Sequence, residues 1–198
     1  MTVRPVDAAD VDALTTVLTR AFEDDPVTRW VYASDRRRTH WSSRFFRWQL
    51  DRLLPQDVSW TTEDRAGAAL WALPDRWRET PRETVALLRS TLLGVVPRLP
   101  WVLPGLAQVE RRHPDERHLY LAILGVDPDR QGEGVGSALI QPGLDLCDRE
   151  GLPAYLETGK ERNLAFYGRH GFAVVDELRL PKGPPIWFLH RGSRRAAS

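Results

Sequence analysis

The sequence predicts an α/β (α+β) fold, in which one domain is built around a central sheet of six to seven strands flanked by helices. At 198 residues the chain is long enough for one domain with a substantial core and only marginally long for two. A charge-free apolar run, 119–126, leads through a glycine-rich loop into a segment with helical apolar spacing. Two more strand-like runs, 58–62 and 66–73, are separated by a short polar turn, which predicts an antiparallel hairpin.

The first third of the chain predicts one short strand and two helices. Residues 2–6 can form the strand, and Asp7 or Asp10 can cap the first helix. That helix is expected to end before Pro26, which leaves an acidic turn at 23–25. The second helix is predicted over 35–54, and apolar residues recur with helical spacing in both. These residues are Val11, Leu14, Leu18 and Phe22 in the first helix and Trp41, Phe45, Trp48 and Leu53 in the second.

The middle of the chain, 75–117, predicts a helical, proline-rich insertion before the central strand. Apolar residues form one stripe along Pro81–Val95. Pro97, Pro100 and Pro104 then interrupt an apolar run and are expected to prevent one long helix. We therefore expect no apolar helix of membrane-spanning length. A connection of this size serves as the wall of a binding site or as a flap that only covers the sheet.

The last third predicts helices and strands in alternation. Residues 137–149 continue the helix that follows the glycine loop, with a kink expected at Pro142. A strand at 154–158 precedes a helix at 162–170, which Gly171 is expected to end. Two more strands, 172–180 and 186–190, and a basic tail at 193–198 complete the chain.

Composition excludes several classes of function. The formal net charge of +1 gives no general reason to expect a nucleic-acid or membrane partner. The single cysteine, Cys147, rules out an internal disulfide and a cysteine metal cluster, and the five histidines lack ligand spacing, so no metal is expected. The N-terminal segment is acidic where a signal peptide would be apolar. A cytoplasmic location is therefore expected.

The glycine-rich loop predicts a phosphate site. Gly132, Gly134 and Gly136 allow the backbone to adopt positive φ and to approach a ligand closely. The helix that follows offers unpaired N–H groups and the positive end of its dipole. A Walker loop would place a lysine after the last glycine, where this chain has Ser137. The glycine spacing also differs from that of a dinucleotide-binding fold.

Three segments together resemble one known family. The run from Gln131 to Gly136 matches Q-x-x-G-x-G, Asn163 and Tyr167 follow some thirty residues later, and Gly171-Phe172 comes next. This combination resembles the GNAT superfamily of acetyl-CoA-dependent N-acetyltransferases. The resemblance implies a mixed, mostly antiparallel sheet, acetyl-CoA as co-substrate and a small-molecule amine as acceptor. It implies no nucleic-acid or membrane partner, and a monomer or homodimer.

The resemblance also implies a set of binding residues. The pantetheine arm would lie beside the central strand, the pyrophosphate on the loop amides, and an asparagine side chain against the cofactor arm. The cofactor-binding residues so implied are Leu124, Gly125, Val126, Arg130, Gln131, Gly132, Glu133, Gly134, Val135, Gly136, Ser137, Asn163 and Tyr167.

The chemistry implied is direct attack of a neutral amine on the thioester. A backbone N–H near Gly125 or Val126 would stabilise the carbonyl oxygen. Tyr167 would protonate the departing sulfur, and the alternative role for Tyr167 is that of a core aromatic residue. Many relatives carry a glutamate on the strand before the loop, and this strand has no acid. Glu157, His118, Tyr120, the acidic turn and a water chain remain open as substitutes for the base.

The acceptor is expected to be a small amine, such as puromycin or another antibiotic, or an aromatic amine. Tryptophans are frequent before the glycine loop and could line a pocket for a flat amine. They are Trp30, Trp41, Trp48, Trp71, Trp77 and Trp101. The alternative is a catalytically weak acyl-CoA-binding sensor or interaction module, which the missing strand acid favours.

Overall fold

The computed structural model describes residues 1–32 and 34–193. It contains a seven-stranded mixed sheet with the strand order β1-β2-β3-β4-β5-β7-β6. All neighbouring strands run antiparallel except β4 and β5, which are parallel. The predicted fold class is confirmed. The strands are β1 Val3–Pro5, β2 Ser59–Thr62, β3 Gly67–Ala72, β4 Leu119–Val126, β5 Ala154–Thr158, β6 Ala173–Arg179 and β7 Pro185–Arg191.

Seven α-helices connect these strands in the described residues. They are α1 Val11–Ala21, α2 Pro26–Val31, α3 Asp35–Leu53, α4 Pro81–Val95, α5 Leu99–Glu110, α6 Val135–Glu150 and α7 Arg162–Arg169. Helix α2 was not predicted. Its N-cap is Asp25, whose carboxylate accepts hydrogen bonds from the backbone N–H groups of Val27 and Thr28. The basic tail from 194 onward lies outside the described residues.

The sheet separates two layers of helices. On one face, α1 and α3 bury Leu14, Leu18, Phe46 and Leu50 against β3. On the other face, α6 buries a row of apolar side chains, including Leu139, against Trp71 of β3. Helix α6 runs unbroken through Pro142. Because both faces are covered, β3 is buried along its whole length.

The close approach of α6 to the sheet depends on a residue without a side chain. A Cβ atom at Gly143 would lie 2.3 Å from the Trp71 ring. We predict that Gly143→Ala lowers the free energy of unfolding by about 1–3 kcal/mol, because the core cannot accept the added methyl group. Urea unfolding measures this change.

Gly168→Ala is the matched control for Gly143→Ala. A Cβ atom there meets nothing within 4 Å, and the residue lies within α7. We expect the control to be neutral or to gain about 0.5–1 kcal/mol, since alanine favours the helix. Equal destabilisation of the two variants would show that packing on Trp71 is not the cause.

Strand β4 is irregular at its centre, and the irregularity shapes the molecule. Leu70 of β3 pairs with Ile123 but Trp71 pairs with Leu121, so Ala122 is an extra residue in β4. Strands β4 and β5 pair only at Leu119 and Tyr120. Beyond these residues the two parallel strands diverge and leave a gap in the sheet.

The proline-rich middle segment forms a longer helical run than expected. Helix α4, the 3-10 turn Val96–Arg98 and α5 follow one another without interruption. The run Pro81–Glu110 has 30 residues, and its most apolar window has a mean hydropathy of 1.3. By length and composition alone, this helical run could cross a membrane. The same window is 11% buried in the structure. The expectation of no such helix was wrong. Pro97 and Pro100 occupy first-turn positions, where a helix needs no N–H donor.

Candidate functional site

A cavity lies where β4 and β5 diverge. Its volume is about 600 Å³, and it is lined by β4, the glycine loop, α7 and the segment that joins α1 to α2. The gap in the sheet thus becomes a cleft between the two helix layers. Most of the residues implied by the resemblance line it, namely Leu124, Gly125, Val126, Arg130, Gln131, Gly132, Gly134, Val135, Gly136, Ser137, Asn163 and Tyr167.

The glycine loop presents open backbone to the cleft. Gly132 and Gly134 have φ values of +83° and +81°, and a Cβ atom at either would meet nothing within 4 Å. Helix α6 begins directly after Gly134, with no side chain bonded to its first N–H groups. These groups are available to an anion. The hydroxyl of Ser137 lies 3.1 Å from Nε2 of His170, so it has a hydrogen-bond partner within the chain.

Charged side chains at the start of the loop are largely paired with one another. Arg130 donates to Asp64 at 2.6 Å and to Glu133 at 2.8 Å. These two carboxylates raise the pKa of Arg130, and the largest cause is the hydrogen bond that Arg130 donates to Asp64. Glu133 therefore contacts Arg130 and does not line the cleft, unlike the other implied binding residues. The side chain of Gln131 donates to the carbonyl oxygen of Val126 at 3.2 Å.

Three cationic side chains that the sequence analysis did not identify line the cleft. They are Lys160, Arg162 and Arg169. Lys160 and Arg162 both pair with Asp24 across the cleft rim. Asp24 of the acidic turn is thus paired with cations of the chain itself. Only their placement in three dimensions distinguishes these cations from other surface cations.

The backbone of β4 offers an unpaired donor at the cleft. The N–H of Asp127 donates to the carbonyl of Ala66 on β3. N–H groups alternate in direction along a strand, so the N–H of Gly125 also faces β3 and that of Val126 faces the gap. Of the two predicted oxyanion donors, only Val126 has the required direction.

Asn163 and Tyr167 lie one helical turn apart on α7 and both line the cleft. The amide of Asn163 donates to the Thr158 hydroxyl at 3.3 Å. Tyr167 is only 6% exposed. Burial, followed by the negative charge of Asp25, raises the pKa of Tyr167 well above its ordinary value, so the phenol keeps its proton.

Strand β5 supplies a carboxylate to the cleft, whereas strand β4 supplies none. Glu157 lines the cleft, and its Oε2 accepts a hydrogen bond of 2.7 Å from the phenol of Tyr120. Asp25 also lines the cleft, and burial raises its pKa, but one of its oxygens already caps α2. His118 lies behind the cleft and does not line it. In the described residues, no group of three or more His, Cys, Asp or Glu could hold a metal ion.

The other end of the cleft is apolar and aromatic. Phe22, Phe45 and Phe46 line it, with ring centroids 5.0 Å and 5.3 Å apart for the pairs 22–46 and 45–46. The six tryptophans expected there lie elsewhere in the described structure. Trp71, for example, is core, and Trp30 donates to the carbonyl of Pro181. Aromatic content alone does not tell core from pocket.

Comparison with known proteins agrees with this geometry. The Acetyltransferase (GNAT) family model matches residues 39–172. An uncharacterized N-acetyltransferase of Schizosaccharomyces pombe is 27% identical over 194 residues, which is 92% of this chain and 78% of that protein. A mycothiol acetyltransferase of Clavibacter michiganensis subsp. michiganensis is 48% identical over 59 residues, which is 27% of this chain and 19% of that protein.

Solved structures share the fold at low identity. A crystal structure titled histone acetyltransferase HPA2 and related acetyltransferase, from Corynebacterium glutamicum, has a TM-score of 0.72 at 23% identity and covers 100% of this chain and 98% of its own. Arylalkylamine N-acetyltransferase 2 from Aedes aegypti has a TM-score of 0.62 at 15% identity and covers 96% of this chain and 98% of its own. The chain belongs to the GNAT family and is an N-acetyltransferase that uses acetyl-CoA.

Proposed function

We propose that this enzyme transfers the acetyl group of acetyl-CoA directly to the primary amine of a small apolar or aromatic molecule. The observation that carries the proposal is the layout of the cleft. One end has the open glycine loop, the other has Phe22, Phe45 and Phe46, and the unpaired N–H of Val126 lies between them. A donor and an acceptor bound at the two ends would meet beside β4.

The donor end provides groups that suit a nucleotide diphosphate. The amides at the start of α6 and the positive φ of Gly132 and Gly134 suit the pyrophosphate. Arg162 and Arg169 supply further positive charge. Asn163 is placed to contact the pantetheine arm.

We predict that Gly134→Ala weakens acetyl-CoA binding about tenfold. The substitution strains a residue at φ +81° by about 1–2 kcal/mol and adds a methyl group in the open space of the loop. Isothermal titration with acetyl-CoA measures the change. Gly192→Ala is the control, since a Cβ atom there meets nothing within 4 Å and the residue does not line the cleft. An unchanged dissociation constant for Gly134→Ala would show that the loop does not contribute to acetyl-CoA binding.

The reaction uses three elements of the chain. Val126 offers its backbone N–H to the carbonyl oxygen of the thioester as negative charge develops there. Tyr167 keeps its proton and donates it to the departing sulfur. The amine must reach the thioester in its neutral form, which requires a base on the acceptor side.

The acceptor end favours an aromatic or apolar amine. Leu106 and Val109 of α5 also line the cleft. The segments around the glycine loop, β5 and α7 also resemble puromycin N-acetyltransferase, whereas the middle segment does not. Puromycin, a bulky aromatic amine, is therefore included among the acceptors to be tested, and antibiotic inactivation is one expected role. We also propose that the enzyme acts in the cytoplasm.

A second candidate function is an acyl-CoA-binding module that contacts a protein partner. The absence of an acid from β4 and the exposed leucines of α4, such as Leu93, support it. A module of this kind would bind acetyl-CoA without turnover.

A thiol-release screen separates the two functions. Acetyl-CoA is offered with puromycin, arylamines, polyamines, aminoglycosides and short peptides, and released thiol is measured. We expect the fastest release with an aromatic or apolar primary amine. Binding of acetyl-CoA without release in any arm would instead support the binding module.

A further inference from the structure

A line of buried polar side chains joins the main cleft to a second, smaller cavity. At the cleft the line begins with Tyr120 and Glu157. At its other end, His118 lines a cavity of about 180 Å³. This outer cavity opens to solvent because exposed residues form its rim, namely Asp75, Arg78, Asp115 and Glu116. His113 lies between the two cavities.

The distances along this line are short. Oε1 of Glu157 lies 3.5 Å from Nδ1 of His113. Nε2 of His113 lies 2.8 Å from Nε2 of His118. Nδ1 of His118 lies 2.7 Å from the carbonyl oxygen of Glu116. The longest step is the one nearest the cleft, where catalytic contacts commonly tighten when substrate binds.

The fixed end of the line determines where each proton lies. A carbonyl oxygen only accepts, so Nδ1 of His118 carries a hydrogen. Burial lowers the pKa of His118, so its ring is neutral and its Nε2 accepts. Nε2 of His113 must then be the donor.

The same reasoning places one more proton near the cleft. Nδ1 of His113 faces the Glu157 carboxyl group, and Tyr120 already donates to the other oxygen of that group. Two bare acceptors would repel each other, so His113 and Glu157 hold one proton between them.

Aromatic packing holds the two rings in line. Trp77 stacks on His113 at a centroid distance of 3.4 Å and an interplanar angle of 20°. Tyr155 packs edge-on against both histidines, at 4.7 Å and 5.6 Å. The His113 side chain is only 3% exposed.

We propose that Glu157 takes the proton of the acceptor ammonium and that His113 and His118 carry a proton out to the second cavity. This inference rests on the proposed function and names its base. The N–H bond of the ammonium breaks, its electron pair becomes the lone pair that attacks the thioester, and Glu157 becomes a carboxylic acid. His113 gives its Nε2 proton to His118, which releases its Nδ1 proton to water in the outer cavity.

The relay then returns to its starting state. After the product leaves, water in the outer cavity returns a proton to Nδ1 of His118, and His118 returns its Nε2 proton to His113. The carboxylic acid of Glu157 releases its proton to water in the open cleft, which restores the starting protonation of all three groups. One proton enters from the amine and one leaves to water.

Other titratable groups surround the relay. Burial raises the pKa values of Tyr120 and Tyr155 far above their ordinary values, so both phenols stay protonated. Glu79 acts on Tyr120 through its charge, and the Glu116 carboxylate lies 2.8 Å from Nε2 of His190.

Substitutions that keep a hydrogen bond but cannot carry a proton test the relay. His113→Gln retains an N–H near Nε2, and His118→Asn retains one near Nδ1. With the fastest amine of the screen, we expect kcat to fall about 10²-fold in each, and KM for acetyl-CoA to stay unchanged. The control is His40→Asn, an exposed histidine on α3 outside the relay, which should keep wild-type turnover.

Two further measurements guard against misfolding. Adding imidazole to His118→Gly, which enlarges the outer cavity, should restore part of the turnover, whereas sodium chloride should not. Unchanged turnover in both relay variants, or turnover lost without imidazole rescue, would overturn the relay.

Nitrogen-15 NMR of the substrate-free enzyme tests the relay without activity. We expect His118 to carry its proton on Nδ1 and His113 to carry a proton on Nε2. The opposite tautomer of His118 would overturn the relay even in an active enzyme. If the wild-type enzyme acetylated no amine, the proposed function would fail instead, and the NMR result would still decide whether the proton line exists.

Discussion

Tyr167→Phe is expected to lower kcat by about 10²- to 10⁴-fold while leaving acetyl-CoA binding and stability nearly unchanged. The phenol lines the cleft, and burial with the nearby charge of Asp25 keeps it protonated. Phenylalanine preserves the packing of this ring against Phe166 and Phe172. Steady-state kinetics, with acetyl-CoA titration as the binding check, measure the effect.

The matched control removes a different buried hydroxyl. Tyr32 is 5% exposed and does not line the cleft, so Tyr32→Phe should keep wild-type turnover. The raised pKa of Tyr167 also predicts that its contribution persists up to at least the ordinary tyrosine pKa of about 10. A Tyr167→Phe enzyme with normal turnover across this range would show that Tyr167 serves only as a core aromatic residue.

Asp10→Asn is expected to cost about 3 kcal/mol of unfolding free energy at neutral pH. Asp10 is fully buried and accepts from Arg4 at 2.6 Å and 2.8 Å and from Arg65 at 2.6 Å. Removing one partner of a buried ion pair commonly costs about 3–5 kcal/mol of unfolding free energy. We expect the lower end of this range because both arginine side chains reach solvent. Urea unfolding measures the loss.

The pH dependence of this loss has a defined sign. The hydrogen bond from Arg4 is the largest cause that lowers the pKa of Asp10 far below its ordinary value. A carboxyl group whose pKa is lower in the folded than in the unfolded state stabilises the fold at pH values above its unfolded pKa of about 3.9. This stabilisation is lost as the pH falls from that value toward the folded-state pKa. The difference between wild type and Asp10→Asn should therefore shrink from pH 5 toward about pH 2.

A surface aspartate provides the control for Asp10. Asp12 pairs with Arg47, but the two side chains are 88% and 50% exposed. Asp12→Asn should change stability by less than about 0.5 kcal/mol at any of these pH values. If Asp10→Asn behaved like this control, the buried ion-pair network would have no net effect on stability.

The parts of the site formed by consecutive residues could be predicted from the sequence. Strand β4, the glycine loop and the start of α6 follow one another, so the loop geometry depends on local glycine and helix chemistry. Helix α7 was predicted over 162–170 with Gly171 as its end, and the family resemblance assigned Asn163 and Tyr167 to the site. These features need no knowledge of distant contacts.

The parts formed by tertiary packing could not be predicted. The relay requires Glu157 of β5 to meet His113, and no pattern in the sequence links the two positions. Trp71 and Trp77 were both considered for the acceptor pocket, yet one fills the core and the other stacks on His113. The helical run Pro81–Glu110 was missed because Pro97 and Pro100 were treated as interior breakers although they occupy first-turn positions.

A single-turnover experiment tests direct acetyl transfer most directly. The enzyme is mixed with acetyl-CoA and the fastest amine, quenched at successive times and analysed by mass spectrometry. We expect CoA thiol and N-acetylated amine to appear at the same rate and in equal amounts, with no acetylated enzyme at any time. An acetylated enzyme that precedes the product, or thiol release without acetylated amine, would contradict direct transfer in the cleft between β4 and β5.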